Sequence, residues 1–196
     1  MSRVSENKQQ KEKKLMDTAF ELFTAQGIVK TSITEIVEKA GVAKGTFYLY
    51  FKDKYDLREK LVIRKTEQLF LHALENSGYR DKASPEDRLL AVIDDILFQL
   101  RDNTPLLQFI SKNLSWGVFR RALSRSDVDF AAIFGDILGG KKRDRQTLKL
   151  EVFMILELVG STCHDVILES DPTDLDSFLP YLHGSIRAIL HSFSKA

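Results

Sequence analysis
Cysteine is almost missing from this chain: Cys163 is the only one in 196 residues, so no internal disulfide can form and nothing demands an oxidising compartment. A lone cysteine of this kind reads as a small buried apolar residue rather than a redox sensor. Prolines number four and glycines ten, which leaves most of the length open to helix. No uninterrupted apolar run approaches the roughly 20 residues that cross a bilayer. The first residues are polar and charged and lack a hydrophobic signal core, so a soluble, cytoplasmic protein without a membrane partner is expected. The four histidines, His72, His164, His183 and His191, show no metal-ligand spacing with carboxylates. His164 sits between Cys163 and Asp165, but adjacent helical residues point in different directions and form no triad. Strand alternation is absent, as is a glycine-rich phosphate loop. An enzyme, a metal and a cofactor are therefore all unexpected.

What is present is helical pattern and an uneven charge. The net charge is only +1, yet residues 1–65 hold 14 Lys/Arg against 9 Asp/Glu, and the remainder holds 15 against 19. A basic first third and an acidic remainder fit a DNA-contacting head on a body that faces away from phosphate. Within that first third, the stretch SITEIVEKAGVAKGTFYLYFKDK from Ser32 to Lys54 organises the rest. Ile33, Ile36, Val37 and Ala40 recur at i, i+3, i+4 and i+7, one face of a helix. Ser32 and Glu35 have capping-box spacing at its start, and Gly41 stands where a left-handed residue stops it. A second helical pattern begins near Lys44, with Phe47 and Phe51 on one side and Thr46 and Tyr50 on another. Two helices joined this way form a helix-turn-helix, whose second helix can enter a DNA major groove. Lys44 can reach a base edge or phosphate, and Gly45 lets backbone approach the duplex. The hydroxyls of Thr46, Tyr48 and Tyr50, with Lys54, are donors suited to phosphate oxygens.

The run AFELFTAQGIVKTSITEIVEKAGVAKGTFYLYFKDKYDLREKL, within about Lys13 to Leu61, resembles the N-terminal domain of TetR-family transcriptional regulators. The resemblance covers about a quarter of the chain, with glycine, aromatic and lysine positions agreeing in register. It implies that Lys44, Gly45, Thr46 and Tyr48 read or line the groove, and that Ser32, Thr34, Tyr50 and Lys54 contact phosphates. One departure is Tyr50, which stands where histidine is frequent; both donate to phosphate.

The expected fold is all-α. Residues 1–52 form an N-terminal arm and a three-helix helix-turn-helix domain, and residues 53–196 a helical effector-binding and dimerisation domain. The first helix is expected from about Lys11 to Gln26, after a polar arm. Asp53 caps a long fourth helix reaching Asn76, which bridges head and body. Ser84 caps a helix with Pro85 at its first position, and Asn103–Thr104–Pro105 breaks it and starts a short one. A helix from Ser115 to about Leu138 follows, with the polar run Ser124–Asp129 inside it. Gly139–Gly140 and Lys141, Lys142 and Arg143 read as a linker. The last two helices run from about Arg145 to Glu169 and onward from Asp171–Pro172, with Pro180 in the first turn or at a kink.

The resemblance further implies a body that encloses a small effector, with Phe70, Asp94, Phe98, Phe109, Trp116, Phe119, Phe134, Phe153 and Glu157 as candidate lining. The aromatic composition suggests a hydrophobic or aromatic ligand; inward carboxylates would favour a cationic lipophile. It also implies a homodimer through the last two helices, at Leu156, Gly160, Cys163, Ile167, Leu182, Ile186, Ile189 and Leu190. Two heads read half-sites of double-stranded operator DNA better than one. The expected function is a dimeric repressor released from its operator by an effector. The alternative is a DNA-binding adaptor controlled by a protein partner, with no small ligand.

Overall fold
The computed structural model describes residues 3–119, 130–138 and 144–194, and no strand occurs among them. Helix α1 spans Arg3–Gln26, α2 Ile33–Ala40, α3 Lys44–Tyr50 and α4 Lys54–Asn76. Helices α5 (Pro85–Arg101), α6 (Thr104–Asn113), α7 (Phe130–Ile137), α8 (Arg145–Glu169) and α9 (Leu175–Ser194) follow, with a short 3-10 turn at Tyr79–Asp81. The fold is all-α, as the patterning requires. The expected linker around Gly139–Arg143 and the polar run Ser124–Asp129 lie outside the described residues.

The chain forms two compact units, Met1–Lys65 and Thr66–Ala196. In the first, α1 buries Leu15, Met16, Ala19, Leu22 and Phe23, a face of 3.6-residue period. The helix begins at Arg3 rather than Lys11. Its first turns lack an apolar stripe but are rich in the helix-favouring Gln, Glu and Lys, and the Tyr50 hydroxyl donates to the Lys8 carbonyl at 3.0 Å. Ile36, Val37, Phe47, Phe51, Leu57 and Leu61 complete this small core, each large side chain contributing roughly 1.5–3 kcal/mol. The early turns of α4 belong here as well. Lys60 donates to the Tyr50 carbonyl at 2.8 Å, Arg64 reaches the Met16 sulfur at 3.2 Å, and the Lys65 ammonium lies 4.5 Å from the Phe20 ring centre. These contacts hold the early turns of α4 to the first unit, which runs on to Lys65 inside that helix.

The second unit is built around α5. Ser84 accepts from the Asp87 N–H at 3.0 Å, Pro85 opens the helix, and Leu89, Val92, Ile93, Leu97 and Leu100 are buried along it. Asn103 caps α6 through the Leu106 N–H at 3.1 Å, Asp144 caps α8, and Asp174 accepts from the Ser177 N–H at 2.9 Å beside α9. One hydrophobic cluster takes in residues of α4, α5, α7, α8 and α9. Pro180 lies within α9 beyond its first turn.

Candidate DNA-binding surface and effector cavity
The reading element is fixed by local chemistry at each end of α2. Ser32 accepts from the Glu35 N–H at 3.1 Å, the Ser32 N–H reaches the Glu35 carboxylate at 3.5 Å, and Gln26 holds that carboxylate at 2.9 Å. Gly41 takes φ +66°, and the Val42 N–H turns back to the Val37 carbonyl at 3.0 Å. The reversal delivers α3, whose Phe47 is buried with its ring 5.4 Å from that of Phe51. Burying Phe47 sets the opposite side outward. Lys44 and Gly45 are exposed, Tyr48 is 54% exposed, and Thr46 is half-buried. A Cβ added at Gly45 would meet nothing within 4 Å, so no contact inside the chain requires glycine there. Ser32 and Thr34 are exposed at the start of α2.

Two of the expected phosphate donors are engaged within the chain. The Lys54 ammonium donates to the carbonyls of Val29 and Thr31 at 3.0 and 2.9 Å, tying the loop before α2 to the first turn of α4. Tyr50, half-buried, donates to the Lys8 carbonyl. Neither is sealed inside, and each ties distant parts of the head together. Sequence reasoning passed over Leu49, which is 75% exposed on α3 beside Tyr48. The 100° turn per residue puts it off the Phe47–Phe51 face, and that signal was available.

In the second unit two adjoining cavities open beside α4. The larger, about 330 Å³, is lined among others by Thr66, Phe70, Ile110, Trp116, Phe119 and Glu157. The smaller, about 120 Å³, is walled by hydrocarbon including Val92, Ile93, Phe134 and Ile155. Phe70, Ile96, Phe119, Leu156 and Val159 border both. Of the expected lining, Phe70, Trp116, Phe119, Phe134 and Glu157 are thus brought together. Asp94 and Phe98 are not. They line a separate open cleft, where Asp94 bonds to His183 Nε2 at 2.7 Å, because Asp94 falls off the buried stripe of α5 toward α9. Phe109 is buried and lines neither cavity; Phe153 is partly exposed and sets its ring edge-on to Trp116 at 5.2 Å.

The expected dimer residues need similar correction. Cys163, Leu182, Ile186 and Leu190 are buried in the core of their own chain and present nothing to another. Burial pushes the Cys163 thiol up to about 11, against a small opposing effect of the Thr162 hydroxyl. Leu156 and Ile167 line the larger cavity, and Ile189 packs half-buried against the core. Gly160 alone of that set is exposed, and it too borders the larger cavity. The outer face of α8 and α9 instead shows Leu150, Met154, Tyr181 and Gly184, with Tyr181 74% exposed. Added Cβ atoms at Gly160 and Gly184 would meet nothing within 4 Å.

Residues 15–61, which hold the capped α2, the Gly41 turn and α3, match the family described as bacterial regulatory proteins of the tetR family. The chain carries a TetR-family DNA-binding head. Beyond that head, the chain is 25% identical over 181 residues to an HTH-type transcriptional regulator of Staphylococcus aureus, covering 91% of each. It is 35% identical over 86 residues to the fatty acid metabolism regulator protein of Bacillus subtilis, an alignment covering 44% of this chain and 43% of that one. Matches to two further regulators, from Bacillus subtilis and Shigella flexneri, span only 31% and 26% of those proteins. Among solved structures it resembles the transcriptional regulator FadR of Bacillus subtilis in complex with stearoyl-CoA, with a TM-score of 0.65 at 22% identity over 88% of this chain and 96% of the other. That likeness is one of fold. These relatives are regulators, not enzymes, and no helix among the described residues is long and apolar enough to cross a membrane.

Proposed function
We propose that this TetR-headed chain is a dimeric transcriptional repressor whose α3 enters the major groove of an operator half-site and whose second unit binds a hydrophobic effector that releases it. The observation that carries the reading is α4. Its early turns are built into the head by Lys60, Arg64 and Lys65, and its later residues Leu69 and Phe70 wall the cavity. A ligand pressing on Phe70 acts on the helix that anchors the reading element. Release requires the ligand to prefer the form that does not hold DNA, since equal affinity shifts nothing. Lys44, Gly45, Thr46, Tyr48 and Leu49 supply the groove contacts, Leu49 being suited to a thymine methyl. Ser32, Thr34 and Lys44 meet the backbone. The exposed small residues of α8 and α9 let a second copy approach closely. The FadR structure holding stearoyl-CoA supports an acyl chain as the first ligand class to try.

The test is to select DNA from a random pool with the purified protein, then titrate the selected duplex. A shared palindromic sequence, bound by two chains and released by lipophilic compounds that also raise the melting point, supports the reading. Selected fragments with no common sequence overturn the DNA assignment. Release by no lipophile returns the adaptor alternative.

A further inference from the structure
Hydroxyls inside helices normally find the carbonyl one turn back, and several here do so. Thr24 bonds to the Phe20 carbonyl at 2.8 Å, Thr162 to that of Leu158 at 2.7 Å, and Ser185 to that of Tyr181 at 3.0 Å. Thr66 does not: its Oγ1 is buried and has no hydrogen-bond partner. The same residue lines the larger cavity, on one face of α4 with Leu69 and Phe70 at i+3 and i+4. A buried hydroxyl left without a partner is disfavoured unless something else supplies one. We infer that the Thr66 hydroxyl anchors an uncharged oxygen, hydroxyl or carbonyl, at the head of a long-chain lipid bound in the larger cavity and reaching toward the smaller one beside it.

Both the charge and the shape of the occupant follow from the walls. Leu69, Phe70, Leu97, Leu100 and Leu107 make much of the lining apolar. Among the described lining residues the carboxylate and imidazole groups are Glu157, which is exposed, and His164, already bonded to Asp165 at 2.7 Å. The Cys163 thiol stays protonated. An ionised head beside Thr66 would be stripped of water with no counter-charge to meet it. Thr66 borders only the larger cavity, whereas Phe70 and Phe119 border both. A flexible chain starting at Thr66 reaches Val92, Ile93 and Phe134 where the Phe70 and Phe119 side chains that border both cavities turn aside for it.

This inference rests on the effector reading above, and its test separates the two. The hydrocarbon probe diphenylhexatriene, which fluoresces in apolar surroundings, is titrated into the full chain. It is then displaced by 1-dodecanol, methyl dodecanoate or sodium dodecanoate. Saturable binding of the probe, with the alcohol and ester displacing it more tightly than the carboxylate, is expected. Thr66→Val should keep the probe and lose about tenfold in affinity for the alcohol, while Thr66→Ser retains it. If Thr66→Val also loses the probe, Thr66→Ala removes the hydroxyl without a bulky replacement and is read in the same way. Unchanged alcohol affinity in a hydroxyl-free variant that still binds the probe overturns the anchor and leaves the cavity standing. Tighter binding of the carboxylate overturns the uncharged head. Failure of the parent protein to bind either probe or alcohol overturns the effector reading itself, and the anchor with it.

Discussion

At Lys54 the ammonium meets two backbone carbonyls of the loop before α2, so its removal should be felt in folding before it is felt on DNA. Lys54→Met is expected to lower stability by about 1–2 kcal/mol, read by urea unfolding. Lys44, exposed at the head of α3, should behave in the opposite way. Lys44→Ala leaves the unfolding midpoint alone and weakens operator binding, with the slope of log affinity against log salt falling by about one. An equal loss of slope in Lys54→Met at unchanged stability would return that lysine to the phosphate contacts. The buried Cys163, with its thiol raised to about 11, should react slowly with an aromatic disulfide at pH 8 and rapidly once the chain is unfolded. Residue types told much of this story, but engagement did not show in them. A lysine or tyrosine reads the same whether its polar end meets phosphate or a carbonyl distant in sequence, as with Tyr50 and Lys8.

Among the elements, the helix-turn-helix was legible because its determinants are local: Ser32 three residues from Glu35, Gly41 at the stop, Phe47 and Phe51 one turn apart. Its two glycines make a matched experiment. Gly41 sits at φ +66°, where an added Cβ is strained, so Gly41→Ala should cost about 1 kcal/mol and show in thermal unfolding. Gly45 has no such φ and open space around it, so Gly45→Ala should leave stability unchanged or raise it by up to about 1 kcal/mol, while operator binding falls. The cap of α8 carries a pH signature. Asp144 accepts from the Thr147 hydroxyl first, then from the Thr147 and Gln146 N–H groups, and these hold its carboxyl below the usual range. A depressed carboxyl stabilises fully above its unfolded value and loses that contribution as pH falls through the folded one. Asp144→Asn should therefore narrow the difference in stability between pH 6 and pH 3, measured by denaturant titration. Direction along α8 was the harder reading. Its apolar residues run nearly all round the helix, so periodicity gave no sign of which ones face inward, and Cys163 was assigned to a surface it does not reach. The first turns of α1 are hidden for the converse reason: Val4 is the one apolar residue of Arg3–Gln10, too little to carry a period.

Across the whole molecule, the charge divides where the two units do: Met1–Lys65 holds 14 Lys/Arg against 9 Asp/Glu and Thr66–Ala196 holds 15 against 19, the asymmetry that the proposed DNA contact calls for. The separation of inner from outer faces on α8 and α9 gives a direct test of assembly. Gly184→Arg adds a side chain where the chain itself offers no obstacle, so the subunit should fold and sediment as a monomer, with operator affinity down by tenfold or more. Ile186→Ala, by contrast, opens the core of the subunit and should cost about 2–5 kcal/mol without selectively dissociating the proposed dimer. A Gly184→Arg protein that remains dimeric would place the interface elsewhere. Trp116, meanwhile, is the chain's sole tryptophan, and it stands in the lining of the larger cavity with Phe119 and Phe153 at 5.9 and 5.2 Å. Indole emission from the unlabelled protein thus comes from one place, the wall a guest molecule would touch. Its colour and intensity form a native optical gauge of occupancy, needing no dye and undiluted by signal from anywhere else in the subunit.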